Sequence, residues 1–220
     1  AIPMPNQPSS TISRLPFFYG WVVISVAFIT LAVGVNSRTA FSLLFPAILD
    51  EFSETRAMVA GIFSAGFAAS MLLGPLTGVL MDRYGPRWLM PIGAIITGSG
   101  LMLATLATEA WHLYLTLGIL SVGFSTIVSY NGHAMFLPNW FARKRGLALG
   151  IAFAGVGVGA VVILPFVQGV IVSAGWREAC WTLAALLIVV AVPLNILLQR
   201  RRPKDLGLVA DGGNGSRNSI

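Results

Sequence analysis

Arg38 is the residue whose chemistry contrasts most with its surroundings. It follows Asn36 and Ser37 and precedes the apolar stretch Ala40–Leu49. A guanidinium presents a planar fork of N–H donors that holds a carboxylate through two parallel hydrogen bonds. A second polar group lies in the apolar surroundings of residues 110–142: Ser129, Tyr130, Asn131 and His133. Hydroxyl, amide and imidazole groups can bind a polar ligand there, or hydrogen-bond a neighbouring helix. The imidazole of His133 could also titrate near neutral pH. Two charged segments complete the inventory. One is Asp82-Arg83-Tyr84-Gly85-Pro86-Arg87, and the other is Arg143-Lys144-Arg145. No catalytic set accompanies them. HExxH, GxxxxGK[ST] and G-x-S-x-G are all absent, and His112 and His133 are the only histidines. Metal ligands and nucleophilic triads therefore lack raw material, and neither a metal nor a cofactor is expected. A string of the form G-x-G-x-x-A, Gly155 to Ala160, precedes no helix that follows a strand, so it does not read as a dinucleotide site.

The elements that must position these residues follow from composition. The 220 residues are 56% hydrophobic and 10% charged, with a mean hydropathy of +0.81. Soluble domains carry about 25% charged residues, so these side chains cannot clothe a water-soluble surface. Stretches free of Asp, Glu, Lys and Arg are long. Arg14 to Arg38 encloses 23 residues, Arg56 to Asp82 25, and Arg87 to Glu109 21. Glu109 to Arg143 encloses 33, Arg145 to Arg177 31, and Glu178 to Arg200 21. A spanning helix needs about 20 apolar residues. Each run qualifies once, which predicts an all-α membrane protein built as a bundle of six transmembrane helices. The first run is too long for a secretory signal, whose apolar region is about 7–15 residues.

Charge then gives orientation. The net charge is +6, but the basic residues separate the apolar runs, which points to membrane topology and not to nucleic acid. Arg14, Arg83, Arg87, Arg143, Lys144, Arg145, Arg200, Arg201, Arg202, Lys204 and Arg217 fall on one side, against Arg38, Arg56 and Arg177 on the other. The positive-inside bias predicts a multi-pass protein of the inner or plasma membrane with both termini in the cytoplasm. Trp21, Trp88, Trp111, Trp140, Trp176 and Trp181 fall near helix ends, where aromatic belts form. The single Cys180 excludes an intramolecular disulfide. It is expected to be a small buried hydrophobe.

Within a bilayer, helices associate by close packing of small residues. The pairs Gly74/Gly78, Gly146/Gly150 and Gly155/Gly159 supply that spacing. Pro165 and Pro193 are expected to kink their helices. With Arg38 inside the first span, burial would cost about 2.5–3.5 kcal/mol, so the side chain should face a cavity or an anion. The alternative is an interfacial arginine that snorkels outward. Tyr130 and Asn131 are candidates to line the same pathway.

The segment from Gly78 through Asp82, Arg83 and Gly85 to Arg87 resembles the GxxxDRxGxR loop signature of the major facilitator superfamily. A second segment, Trp140-Phe141 through Arg143-Lys144-Arg145 to Leu147, Gly150, Ala152 and Gly155, resembles the signature of monocarboxylate transporters and their bacterial oxalate/formate-type relatives. The acidic residue of that group's other signature is absent, leaving only Gly20-Trp21. The resemblance implies one half of a twelve-helix facilitator fold. Residues 1–15 would be a solvated tail, 16–202 the six-helix half, and 203–220 a cytoplasmic linker cut short before a missing C-terminal six-helix half. It implies transport of a small organic anion by alternating access, through symport with protons or through exchange. Arg38 would bind substrate, one position from the lysine of the animal carriers. Gly78, Asp82, Arg83, Gly85, Arg87, Arg143 and Arg145 would form a gate. A facilitator of sugars, amino acids or drugs, and a transport-inactive six-helix subunit, remain alternatives at this point. No enzymatic role is expected.

Overall fold

The computed structural model describes residues 19–141, 144–200 and 203. Arg143, the tail 1–15 and nearly all of the segment 203–220 lie outside the described residues. Six helices have the length and apolar composition to cross a membrane: α1 (Gly20–Phe52), α2 (Arg56–Tyr84), α3 (Pro86–Ala104), α4 (Ala110–Asn139), α5 (Arg145–Ala174) and α6 (Trp176–Leu198).

The ends of these helices follow local chemistry. Thr55 caps α2 by accepting the Met58 N–H at 3.3 Å, and Ser53 before it takes a left-handed conformation with φ 51°. Between α2 and α3 only Gly85 intervenes, at φ 76°, a value open to glycine. Pro86 then begins α3, where its missing N–H is harmless.

Helix α1 continues past Arg38 to Phe52, so Arg38 is not a loop residue. The basic count on that side falls from three to two. α1 packs along α5, α2 along α4, and α3 against both α4 and α6. Gly155 and Gly159 make the first contact possible. A Cβ at Gly155 would strike the Phe28 carbonyl, and one at Gly159 would lie 2.6 Å from the Ala32 oxygen. The Asn36 amide adds a hydrogen bond to the Val156 carbonyl at 3.0 Å. The Ser70 hydroxyl donates to the Val122 and Gly123 carbonyls of α4, both at 3.1 Å. Asn195 on α6 donates to Thr30 on α1 at 2.8 Å.

Two expectations need correction. Gly74 and Gly150 are not packing contacts, because a Cβ at either would meet nothing within 4 Å. Gly78 would meet only the Met135 methyl, at an ordinary 3.7 Å. The reason is that α2 and α5 turn apolar faces outward: only 17% and 28% of their most apolar stretches are buried, against 61% for α1. Trp140 and Trp176 are buried, unlike the exposed Trp21, Trp88, Trp111 and Trp181. Both have an internal acceptor for the indole N–H, so neither needs the membrane interface. Pro165 leaves α5 helical throughout Arg145–Ala174. Pro193 follows a π-helical stretch, Leu186–Ala191, and such wider turns accommodate a missing N–H.

Candidate functional site

Between α1, α2 and α4 lies a cavity of about 790 Å³. Among the described residues, Arg38 is the only charged one in its lining. The guanidinium carbon sits 3.8 Å from the centre of the Phe67 ring, so the cation rests on an aromatic face. Among the described residues the sole ion pair is Glu51–Arg177, and Arg38 has no carboxylate partner. A half-buried guanidinium with unused N–H donors, opening into a cavity, suits an anion supplied from outside.

Four phenylalanines build the wall around it. Phe41 and Phe63 stack at 4.8 Å with an interplanar angle of 14°, and Phe67 meets Phe63 edge-on at 4.7 Å. Phe45 completes the set. The pairs Phe41/Phe45 and Phe63/Phe67 are each four residues apart, so each presents both rings from one helix face. That spacing was available in the sequence, and the reading from polar residues alone passed over it.

Helix α4 brings Ser129 and Tyr130 to the cavity through a break in its backbone. Tyr114–Gly123 is π-helical, and Ser129 leaves the helix altogether with φ −92° and ψ −167°. Gly132 allows the break, because a Cβ there would strike the displaced Ile127 carbonyl. Non-helical backbone within a membrane span is tolerated where it lines a cavity. Tyr130 lines the cavity and packs edge-on against Phe153 of α5 at 4.9 Å. Asn131 does not line it. Its amide makes a long 3.5 Å contact with the Thr126 hydroxyl, because consecutive helical side chains diverge by about 100°. His133 is fully buried, and its Nδ1 lies 3.0 Å from the carbonyl of Ser129, but His133 itself does not line the cavity.

The charged loop residues gather at the opposite end of the bundle from Glu51. Asp82 and Arg83 occupy the last turn of α2, Gly85 makes the turn, and Arg87 lies in the first turn of α3 and donates to the Ile196 carbonyl at 3.0 Å. Arg145 donates to the Phe141 carbonyl at 2.8 Å. At the other end, Arg177 is held by Glu51 at 2.7 Å (Nη1 to Oε2) and by the Thr105 carbonyl at 3.0 Å. The Trp176 indole donates to the same Glu51 carboxylate at 2.5 Å. This clamp ties the end of α1 to the start of α6. Sequence reasoning missed it, since Glu51 lies 126 residues from Arg177.

Six membrane-length helices define a polytopic membrane protein, here with a cavity that Arg38 lines. The chain belongs to the Major Facilitator Superfamily, whose sequence model matches residues 22–217. It is 32% identical over 201 residues to monocarboxylate transporter 13 of Bos taurus, covering 90% of this chain and 46% of that one. It is 31% identical over 193 residues to monocarboxylate transporter 2 of Rattus norvegicus, covering 84% and 39%. The chain therefore spans less than half the length of the curated relatives it matches.

Proposed function

We propose that residues 16–202 are the N-terminal half of a secondary transporter that carries a small organic anion, of monocarboxylate or oxalate/formate type, by alternating access. The observation that carries this reading is the Arg38 guanidinium, unpaired by any carboxylate among the described residues and lining an apolar cavity. In the proposed cycle the substrate carboxylate docks on the guanidinium fork. The Tyr130 hydroxyl is a further donor beside it. The phenylalanine wall excludes water and strengthens the charge pair. The names of the relatives support the same substrate class.

The C-terminal half would cover the exposed apolar faces of α2 and α5. Met71, Leu72, Val161 and Val172 are each exposed by more than three-quarters, which favours a partner on those faces. The two halves would then rock about the midplane site. The segment from Gly78 to Arg87, with Arg143 and Arg145, would latch the cytoplasmic face. Segment 203–220 would lead toward the second half. In this scheme both termini are cytoplasmic, the protein sits in the cell membrane, and coupling is by proton symport or anion exchange.

The test is uptake of labelled lactate, oxalate and formate by the full-length protein in vesicles. Arg38→Ala should abolish uptake of every transported carboxylate, while Arg38→Lys keeps a fraction. Undiminished uptake by Arg38→Ala would refute the anion-binding role.

A further inference from the structure

A second cavity, of about 320 Å³, lies at the end of the bundle where α2 meets α3 and α6 ends. Its lining is Arg83, Tyr84, Gly85, Pro86, Arg87, Trp88 and Arg200. Three arginines thus line one small space, and among the described residues its lining contains no carboxylate. Like charges gathered this closely repel one another unless an anion sits among them. The fold enforces the gathering. The one-residue turn at Gly85 sets Arg83 and Arg87 on either side of the loop, and the Ile196 carbonyl holds the Arg87 Nε at 3.0 Å. That bond leaves both Nη groups of Arg87 for a ligand. Arg200 uses Nη1 on the Gln199 carbonyl at 2.8 Å and keeps Nη2. Its backbone is fixed by the Trp140 indole, which donates to the Arg200 carbonyl at 3.1 Å.

We propose that this pocket binds a phosphate group, the anion whose tetrahedral oxygens match several guanidinium forks at once. The surroundings favour phosphate presented by an anionic phospholipid headgroup over free phosphate. Tyr84 and Trp88 flank the pocket with half of their surface exposed, the amphipathic pattern of side chains at headgroup depth. Val79 lies four residues before Arg83 on the same helix face, and Leu197 lies in the last turn of α6, just before the extended Gln199 that leads to Arg200. They are 66% and 65% exposed, giving acyl chains an apolar path that leads away from the arginines. A soluble phosphate would use neither Val79 nor Leu197. Basic pockets between helices at a membrane face are a known setting for lipid headgroups.

The experiment is native mass spectrometry of the full-length protein in detergent, titrated with short-chain phosphatidylglycerol, phosphatidylcholine or inorganic phosphate. Phosphatidylglycerol should bind at least tenfold more tightly than phosphatidylcholine, and less tightly as salt is raised. Arg200→Gln should remove that preference, and Arg200→Lys should retain part of it. Arg83→Gln, an exposed change, carries the same test if Arg200→Gln fails to fold. Phosphatidylglycerol resistant to millimolar inorganic phosphate identifies the lipid as the source. Full displacement, with phosphate binding alone, identifies the oxyanion itself as the ligand. Equal binding of the two lipids, or an unchanged preference in both glutamine variants, would overturn the proposal.

Discussion

Arg38 and Arg177 are the same residue type in opposite circumstances. Arg177 is closed by the protein: Glu51 takes its charge, the Thr105 carbonyl takes its Nε, and the Trp176 ring lies 4.6 Å beneath it. Arg38 touches an aromatic face and leaves its donors to a cavity. An arginine whose hydrogen-bonding capacity is consumed by its own fold holds helices together. One left half-buried and unpaired is kept at a cost that a ligand can offset. The difference separates stability from ligand binding, residue by residue.

The largest expected effect is functional. Arg38→Ala removes a charge-assisted fork worth about 2–4 kcal/mol, which corresponds to a roughly 30- to 700-fold loss of carboxylate affinity. Competition uptake measures it. The melting temperature of this variant should change little, because the lost contact with the Phe67 ring is offset by removal of a half-buried, unpaired charge. A matching fall would erase the distinction from Arg177.

Packing comes next. Gly159→Val drives a side chain into the Ala32 backbone and the Asn36 amide. Overpacking of this kind costs about 1–3 kcal/mol. Thermal unfolding in detergent should show it, and Gly150→Val, which meets nothing within 4 Å, should not. If Gly150→Val lowers the melting temperature only when the C-terminal half is present, the docking face on α5 is supported.

The clamp should matter less. Its ion pair is more than one-third exposed, so solvent screens it. Arg177→Ala should cost about 1–2 kcal/mol, most of it from the unpaired Glu51 and the lost carbonyl bonds. Carboxylate affinity should stay within about twofold of the wild type, a difference near the limit of a binding assay. The smallest effect is expected for Trp176→Phe, which removes one indole hydrogen bond worth about 1 kcal/mol.

Much of the fold was legible because a bilayer demands long apolar runs, and charges mark their ends. The six runs between charged residues became six helices; α1 ran on past Arg38 to Phe52, and α2 past Asp82 to Tyr84. Arg38 was legible as a site candidate because a cation within apolar sequence contrasts with everything near it. The phenylalanine wall was not, since aromatic residues are the expected filling of a membrane helix. The backbone break at Ser129 was not legible either. It depends on the Ile127 carbonyl turning toward Gly132, a contact with no signature beyond one glycine among many. Glycine pairs were equally spaced in sequence, yet only Gly155/Gly159 lie against the backbone of a neighbouring helix. Spacing defines a smooth face and leaves open which helix covers it.

The most direct test of the account is equilibrium binding of a labelled monocarboxylate to the purified full-length protein. Wild type, Arg38→Ala and Arg177→Ala would be compared side by side, with melting temperatures taken on the same samples. The account predicts binding lost with stability kept in Arg38→Ala, and stability lost with binding kept in Arg177→Ala. Wild-type affinity in a stably folded Arg38→Ala protein would contradict it.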